Sequence, residues 1–292
     1  MGKKDTGRGR AVLVTGASTG IGKAMALMLD KSGFRVFAGV RKEKDGEALI
    51  SEASERLTYL IIDVTDHDSI KGAVSKIEES VGDEGLYGLF NNAGIAVSGP
   101  LELIPIETFD KQMRVNVTGV LAVTQACIPL LRKSKGRIVI TGSESGKFTL
   151  PLVGPYAASK HAVEAIADSL RIELLKFGIK VTLLEPGSVD TPIWGKASED
   201  AKGLSSQMTD QEKKLYSREI TAIIRISNLQ SRMAIKPEKV ARVALKALTV
   251  KRPKTRYVIG MDARIFIWIN KWVPTCLLDR GIASGIRKYG RR

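Results

Sequence analysis

Cysteine and histidine are scarce: Cys127, Cys276, His67 and His161 are the whole inventory. No CxxC pair occurs, so the sequence holds neither a disulfide framework nor a tetrahedral metal site with ordinary spacing. A reducing, cytoplasmic setting is the natural expectation. The opening MGKKDTGRGR lacks the apolar stretch of a secretory signal. It fits the short myristoylation pattern at Gly2 and Thr6, and it fits a frayed basic tail better. A basic excess is present, with 46 Lys and Arg against 31 Asp and Glu and a net charge of +15. It comes without an aromatic–basic platform or a nucleic-acid motif, so nucleic acid is not an expected partner.

What is present is an ordinary globular composition, 43% apolar over 292 residues, enough to bury a core without staples. Short apolar runs alternate with segments of helical period. Strands are predicted at Ala11–Val14, Arg35–Val40, Thr58–Ile62, Leu86–Phe90, Arg137–Thr141, Ile179–Leu184 and Arg256–Ile259. Helices are predicted at Gly20–Lys31, Ile70–Ser80, Glu107–Arg132, Pro155–Phe177 and from Pro237 to about Val250. Such alternation implies right-handed crossovers and a parallel sheet covered on both faces. One α/β domain is expected over residues 1–262, with a lid at about 191–235 and a basic, aromatic extension at 263–292.

Three groups of residues carry chemistry. TGASTGIG, Thr15 to Gly22, lies between the first strand and the first helix. Glycines 16, 20 and 22 let the backbone turn sharply and approach a pyrophosphate, and the helix N-terminus offers free N–H groups to the anion. The second strand ends in Val40-Arg41, where an NAD site usually places a carboxylate. Arg41 suits a 2′-phosphate, so NADP(H) is preferred and NAD(H) is the alternative. Tyr156 and Lys160 stand four residues apart on one helix face. An ammonium about 4 Å from a phenol favours the phenolate, before desolvation opposes it.

Together these residues resemble the short-chain dehydrogenase/reductase family. TGASTGIG is similar to its cofactor motif, with Gly16, Ser18, Thr19, Gly20, Ile21 and Gly22 as binding positions. Asp63-Val64 is similar to its adenine-contacting pair. Asn91-Asn92-Ala93-Gly94 is similar to the NNAG after the fourth strand. Asn116 in VNVTG, Ser143 in ITGSESG, and Tyr156 and Lys160 in YxxxK resemble the catalytic set. Pro186, Gly187, Val189 and Thr191 resemble the cofactor loop after the sixth strand. The resemblance implies a Rossmann-type sheet in the order 3-2-1-4-5-6-7 and transfer of hydride between a nicotinamide and an alcohol or carbonyl substrate. It implies that Ser143 binds the substrate oxygen and that Tyr156 transfers the proton. Lys160 then lowers the Tyr156 pKa and holds the ribose, and Asn116 fixes a relaying water. A non-catalytic dinucleotide sensor on the same fold is the competing reading, and retention of all the catalytic groups counts against it.

The stretch LLEPGSVDTP and the lid segment after it resemble the hydroxysteroid and retinol dehydrogenase branch. Leu150, Leu152, Val153, Val189, Ile193 and Trp194 are candidates for an apolar substrate pocket. The segment Arg264–Lys288, with Phe266, Trp268, Trp272, Leu277 and Leu278 interrupted by Lys271 and Arg280, is too interrupted to span a bilayer. It is expected to pack on the molecule or in a homodimer or homotetramer, with peripheral membrane contact as the alternative.

Overall fold

A computed structural model describes residues 9–195, 206 and 208–290 of the chain. Gly2, Thr6 and the stretch 196–205 of the expected lid lie outside them. Seven parallel strands form one sheet in the order β3-β2-β1-β4-β5-β6-β7. They are β1 (Ala11–Val14), β2 (Arg35–Val40), β3 (Leu57–Ile61), β4 (Gly88–Asn91), β5 (Arg137–Thr141), β6 (Lys180–Pro186) and β7 (Arg256–Ile259). Between them run helices α1 (Gly20–Lys31), α2 (Glu43–Ile50), α3 (His67–Val81), α4 (Ile106–Met113), α5 (Gly119–Ser134) and α6 (Gly154–Glu173). After β6 come α7 (Asp210–Arg232) and α8 (Pro237–Thr249), and after β7 come α9 (Met261–Trp272) and α10 (Thr275–Tyr289).

The central strands read as continuous apolar runs because both of their faces are covered. Successive side chains alternate between two cores. Leu13, Leu89, Ile138 and Ile140 point to one core, where Ile77 of α3, Leu130 of α5 and Val163 of α6 meet them. Val12, Val14, Phe90 and Val139 point to the other, against Met25 and Leu29 of α1 and Val240 and Leu248 of α8. Each fully buried side chain of this size contributes about 1.5–3 kcal/mol, so the stacking of helices on both faces is what the alternation encodes. The basic sheet end is tied as well: Arg137 donates to the carbonyls of Ala247 and Val250 at 2.9 and 2.6 Å.

The long helix expected at Glu107–Arg132 forms as α4 and α5, joined by a π-helical turn at Arg114–Thr118. One helix from Ile106 to Ser134 is apolar and long enough by composition to cross a membrane, yet Val123, Cys127, Leu130 and Leu131 lie in the core. Start signals are local elsewhere: Asp66 caps α3 by accepting from the N–H groups of Asp68 and Ser69. β6 runs on to Pro186, beyond the expected end at Leu184, because β7 continues to pair with it through Ile259. The segment after β7 folds as two helices. Phe266 of α9 stacks on Phe148 with centroids 4.9 Å apart, and Arg225 of α7 donates to the carbonyl of Tyr289 at the end of α10.

Candidate active site

Strand order reverses between β1 and β4, and the crevice at that point is where an open parallel sheet takes a ligand. A cleft of about 620 Å³ opens there, walled by the loops that leave β1, β2, β3, β4, β5 and β6. Gly16, Ser18, Thr19, Gly20 and Ile21 line it, as do Arg41, Asp63, Val64, Asn92, Ala93 and Gly94. Ser143, Tyr156, Lys160, Pro186, Gly187, Val189 and Thr191 complete the sequence-predicted set on its wall. Gly22 and Asn116 stand behind that wall.

The glycine turn is built for close approach. Gly16 has a φ of +64°, and a Cβ there would sit 2.8 Å from the Ala93 Cα. A Cβ on Gly22 would sit 2.1 Å from the Gly16 carbonyl oxygen, so Gly22 lets the first turn of α1 pack under the loop. The Thr19 side chain makes no capping hydrogen bond at the start of α1, so the N–H groups of that turn are left for an anion. Thr15 and Asn92 stitch the β1 and β4 loops together: Thr15 Oγ1 accepts from the N–H groups of Asn92 and Ala93 at 3.0 and 3.1 Å. At the far end Asp63 accepts from Thr65, which holds its carboxyl below the ordinary range, with a smaller contribution from the Arg41 charge. A strand-end arginine, an uncapped helix start and a glycine cradle together fit a phosphorylated dinucleotide.

Asn116 is spent on the fold. Its Oδ1 accepts from Ile95 N–H at 2.9 Å, and its Nδ2 donates to the Ile95 carbonyl and to Ser159 Oγ, each at 3.0 Å. The side chain positions the Ile95 segment of the cleft wall, with its amide protons shared between Ile95 and Ser159.

Ser143, Tyr156 and Lys160 meet on one side of the cleft. Ser143 Oγ accepts from Ser145 N–H at 3.1 Å, which leaves its own proton to donate. It hydrogen-bonds the Tyr156 phenol and favours the phenolate, but burial opposes this more strongly and the phenol is pushed up to about 12. Lys160 is buried too and pushed down to about 8. Its Nζ donates to the Thr141 carbonyl at 2.7 Å and lies 5.6 Å from the Tyr156 ring centroid. Desolvation governs both groups, so the pair rests as a neutral phenol beside an amine that titrates near neutrality.

Trp194 packs edge-on against Tyr156 with centroids 5.4 Å apart. Leu150, Val153, Val189, Ile193 and Trp194 line the cleft as expected, with Phe148, Ile223 and Ile226 added. Leu152 is not on the wall; it takes a left-handed φ of +67° and its carbonyl accepts from Gly99 N–H. Ile223 and Ile226 come from α7, which the sequence shows only as an amphipathic stretch. Glu144, beside Ser143, also lines the cleft, and no motif in the sequence marks it.

The chain belongs to the short chain dehydrogenase family, whose profile matches residues 10–202. Retinol dehydrogenase 7 of Rattus norvegicus is 39% identical over 285 residues, covering 96% of this chain and 90% of that protein. The NADPH-dependent 3-dehydrocapnine reductase of Ornithobacterium rhinotracheale is 36% identical over 284 residues, covering 96% and 98%. A crystal structure of a short-chain dehydrogenase from Streptomyces avermitilis superposes with a TM-score of 0.75 at 25% identity, covering 94% of each chain.

Proposed function

We propose that this short-chain dehydrogenase is an NADP(H)-dependent oxidoreductase that interconverts a secondary alcohol and a ketone, or a primary alcohol and an aldehyde, on a bulky apolar substrate. The observation that carries the reading is the convergence of Ser143, Tyr156 and Lys160 on one wall of a cleft whose other wall is the glycine turn of β1 and α1. When bound, the dinucleotide supplies the hydride donor or acceptor. The residues do the rest. Ser143 donates to the substrate oxygen and orients the carbonyl. Tyr156 gives its proton to that oxygen in reduction, and as the phenolate takes it back in oxidation. Lys160, with a pKa of about 8, exchanges the proton with its surroundings in the working pH range. Arg41 recognises the 2′-phosphate. The apolar wall of Phe148, Leu150, Ile193, Trp194 and Ile226 takes the substrate body and excludes water. Supporting the NADP(H) preference, the reductase relative is described as NADPH-dependent.

The test is NADPH consumption with apolar ketones, wild type against Tyr156→Phe. Turnover falls about 10²–10⁴-fold while NADPH binding, followed by its fluorescence, persists. Full activity in Tyr156→Phe removes the role; NADPH binding without turnover of any carbonyl favours the sensor reading.

A second reading concerns location. Met261, Ile265, Trp268, Trp272 and Leu277 are exposed along α9 and α10, and Lys271 sits over the Trp272 ring at 5.2 Å. Aromatic rings with adjoining basic groups suit the headgroup region of an anionic bilayer. We propose peripheral attachment through this face, with a second copy of the chain as the competing occupant.

A further inference from the structure

The loop that leaves β6 is held by residues remote from it in sequence. Pro186, Gly187, Ser188 and Val189 all line the cleft. Gly187 N–H donates to the Ile259 carbonyl at 2.9 Å. The Ser188 carbonyl accepts from Ile235 N–H at 2.9 Å, and Asp190 N–H donates to the Ile235 carbonyl at 3.0 Å. These last two bonds make a parallel bridge between Val189 and Ile235. Such a bridge engages the residues on either side of Val189 and turns the N–H and carbonyl of Val189 itself the other way. One donor of the loop, Ser188 N–H, has no backbone partner among the described residues. It donates to Asp262 Oδ2 at 2.7 Å.

Asp262 stands in the first turn of α9, outside the residues 10–202 that the family profile matches. A carboxylate at a helix start ordinarily serves its own helix. This one reaches across to the loop instead. Two glycines make room for it. Gly260 takes a φ of +112°, and a Cβ on Gly260 or on Gly187 would run into the Asp262 carboxylate. The end of β7, the start of α9 and the loop after β6 therefore close around a single side chain.

The course of the loop decides which part of a dinucleotide meets it. It leaves β6 next to β5, the strand that delivers Ser143. It ends at Thr191, which lies against the glycine turn: a Cβ on Gly20 would sit 2.9 Å from Thr191 Cγ2. A ligand with its pyrophosphate on that turn and its reacting ring beside Ser143 and Tyr156 runs along this loop, whereas Arg41 and Asp63 hold the opposite end. An amide deprived of its acceptor must find another, so the loop is free to shift once the carboxylate is gone.

We propose that Asp262 is a positioning residue for the cofactor: by holding Ser188 N–H it fixes the Gly187–Val189 backbone against the nicotinamide end of the dinucleotide. This rests on the dinucleotide-binding reading of the same cleft. Asp262 acts through the loop and touches neither cofactor nor substrate.

Calorimetry on the full chain compares NADP⁺ with ADP-ribose 2′-phosphate, which lacks only the nicotinamide. In Asp262→Ala the Kd for NADP⁺ rises roughly 10-fold, while that for ADP-ribose 2′-phosphate changes by less than about twofold. Asp262→Asn keeps an acceptor oxygen and stays within about threefold of the wild type for both probes. Equal weakening of both probes in Asp262→Ala, unchanged NADP⁺ binding, or failure of Asp262→Asn to restore it overturns the proposal and leaves the dinucleotide site standing. A wild type that binds neither probe overturns both readings. A second measurement needs no variant, so poor folding of Asp262→Ala does not block the test. In amide exchange of the wild type, resolved to single residues, Ser188 N–H is slow in the free protein, and Val189 N–H becomes slow with NADP⁺ but not with ADP-ribose 2′-phosphate. A fast Ser188 amide, or equal protection of Val189 by both probes, overturns the proposal.

Discussion

Tyr156 and Lys160 sit four residues apart on α6, and their spacing is readable from the chain. Their ionisation is not, because the groups that bury them come from elsewhere: Trp194 lies beyond β6 and packs on the phenol. The same holds for Glu144, whose neighbour Asp262 is remote in sequence. Its pKa of about 8 lies above the ordinary 4.5, so the folded state holds the proton more tightly than the unfolded chain does. The stabilisation this gives is fully present below pH 4.5 and is lost as pH rises through about 8. Differential scanning across that range therefore shows Glu144→Gln gaining on the wild type as pH rises, by about 5 °C in Tm. A constant difference contradicts the assignment. Arg41 is legible for the opposite reason, since it is marked by the absence of a carboxylate at the end of β2. Arg41→Ala weakens NADPH binding about 10- to 100-fold and NADH little, by calorimetry. Equal losses show that the guanidinium does not meet the phosphate.

At the scale of elements, alternation reveals all seven strands, because the central strands are buried on both faces and each crossover helix carries one apolar stripe. Their order came from the family resemblance of the loop motifs. Boundaries move where tertiary pairing decides them, as at the end of β6. The helices after β7 are the least legible, since their partners, the 147–148 loop and α7, are remote in sequence. α9 braces the cleft from outside. Phe266 stacks on Phe148, Asn270 donates to the Lys147 carbonyl at 2.7 Å, and Asp262 holds Ser188 N–H. Phe266→Ala removes the stack and lowers Tm by about 2–6 °C. It also raises KM for apolar substrates more than it changes kcat, because Phe148 loses its support. An unaltered KM in steady-state assays means that α9 does not shape the pocket.

The whole molecule carries its +15 charge unevenly, and the chain from Lys251 onward is rich in Lys and Arg. With Trp268 and Trp272 exposed on the same segment, binding to phosphatidylglycerol vesicles is expected to be strong at low salt and to weaken as screening grows. Trp268→Glu with Trp272→Glu abolishes co-sedimentation. Retained co-sedimentation moves the contact to another face, and a wild type that self-associates through these tryptophans without binding vesicles assigns the face to a second copy. The π-helical turn at Arg114–Thr118 sets a limit of a different kind. It holds one residue more than an α-helical turn, and Gln112 before it and Asn116 within it both reach the backbone of Ile95. Loss of a single residue there would close the turn to ordinary α-helical spacing and shift the Asn116 amide relative to that of Gln112, so that Ile95 would lose one of its two holds.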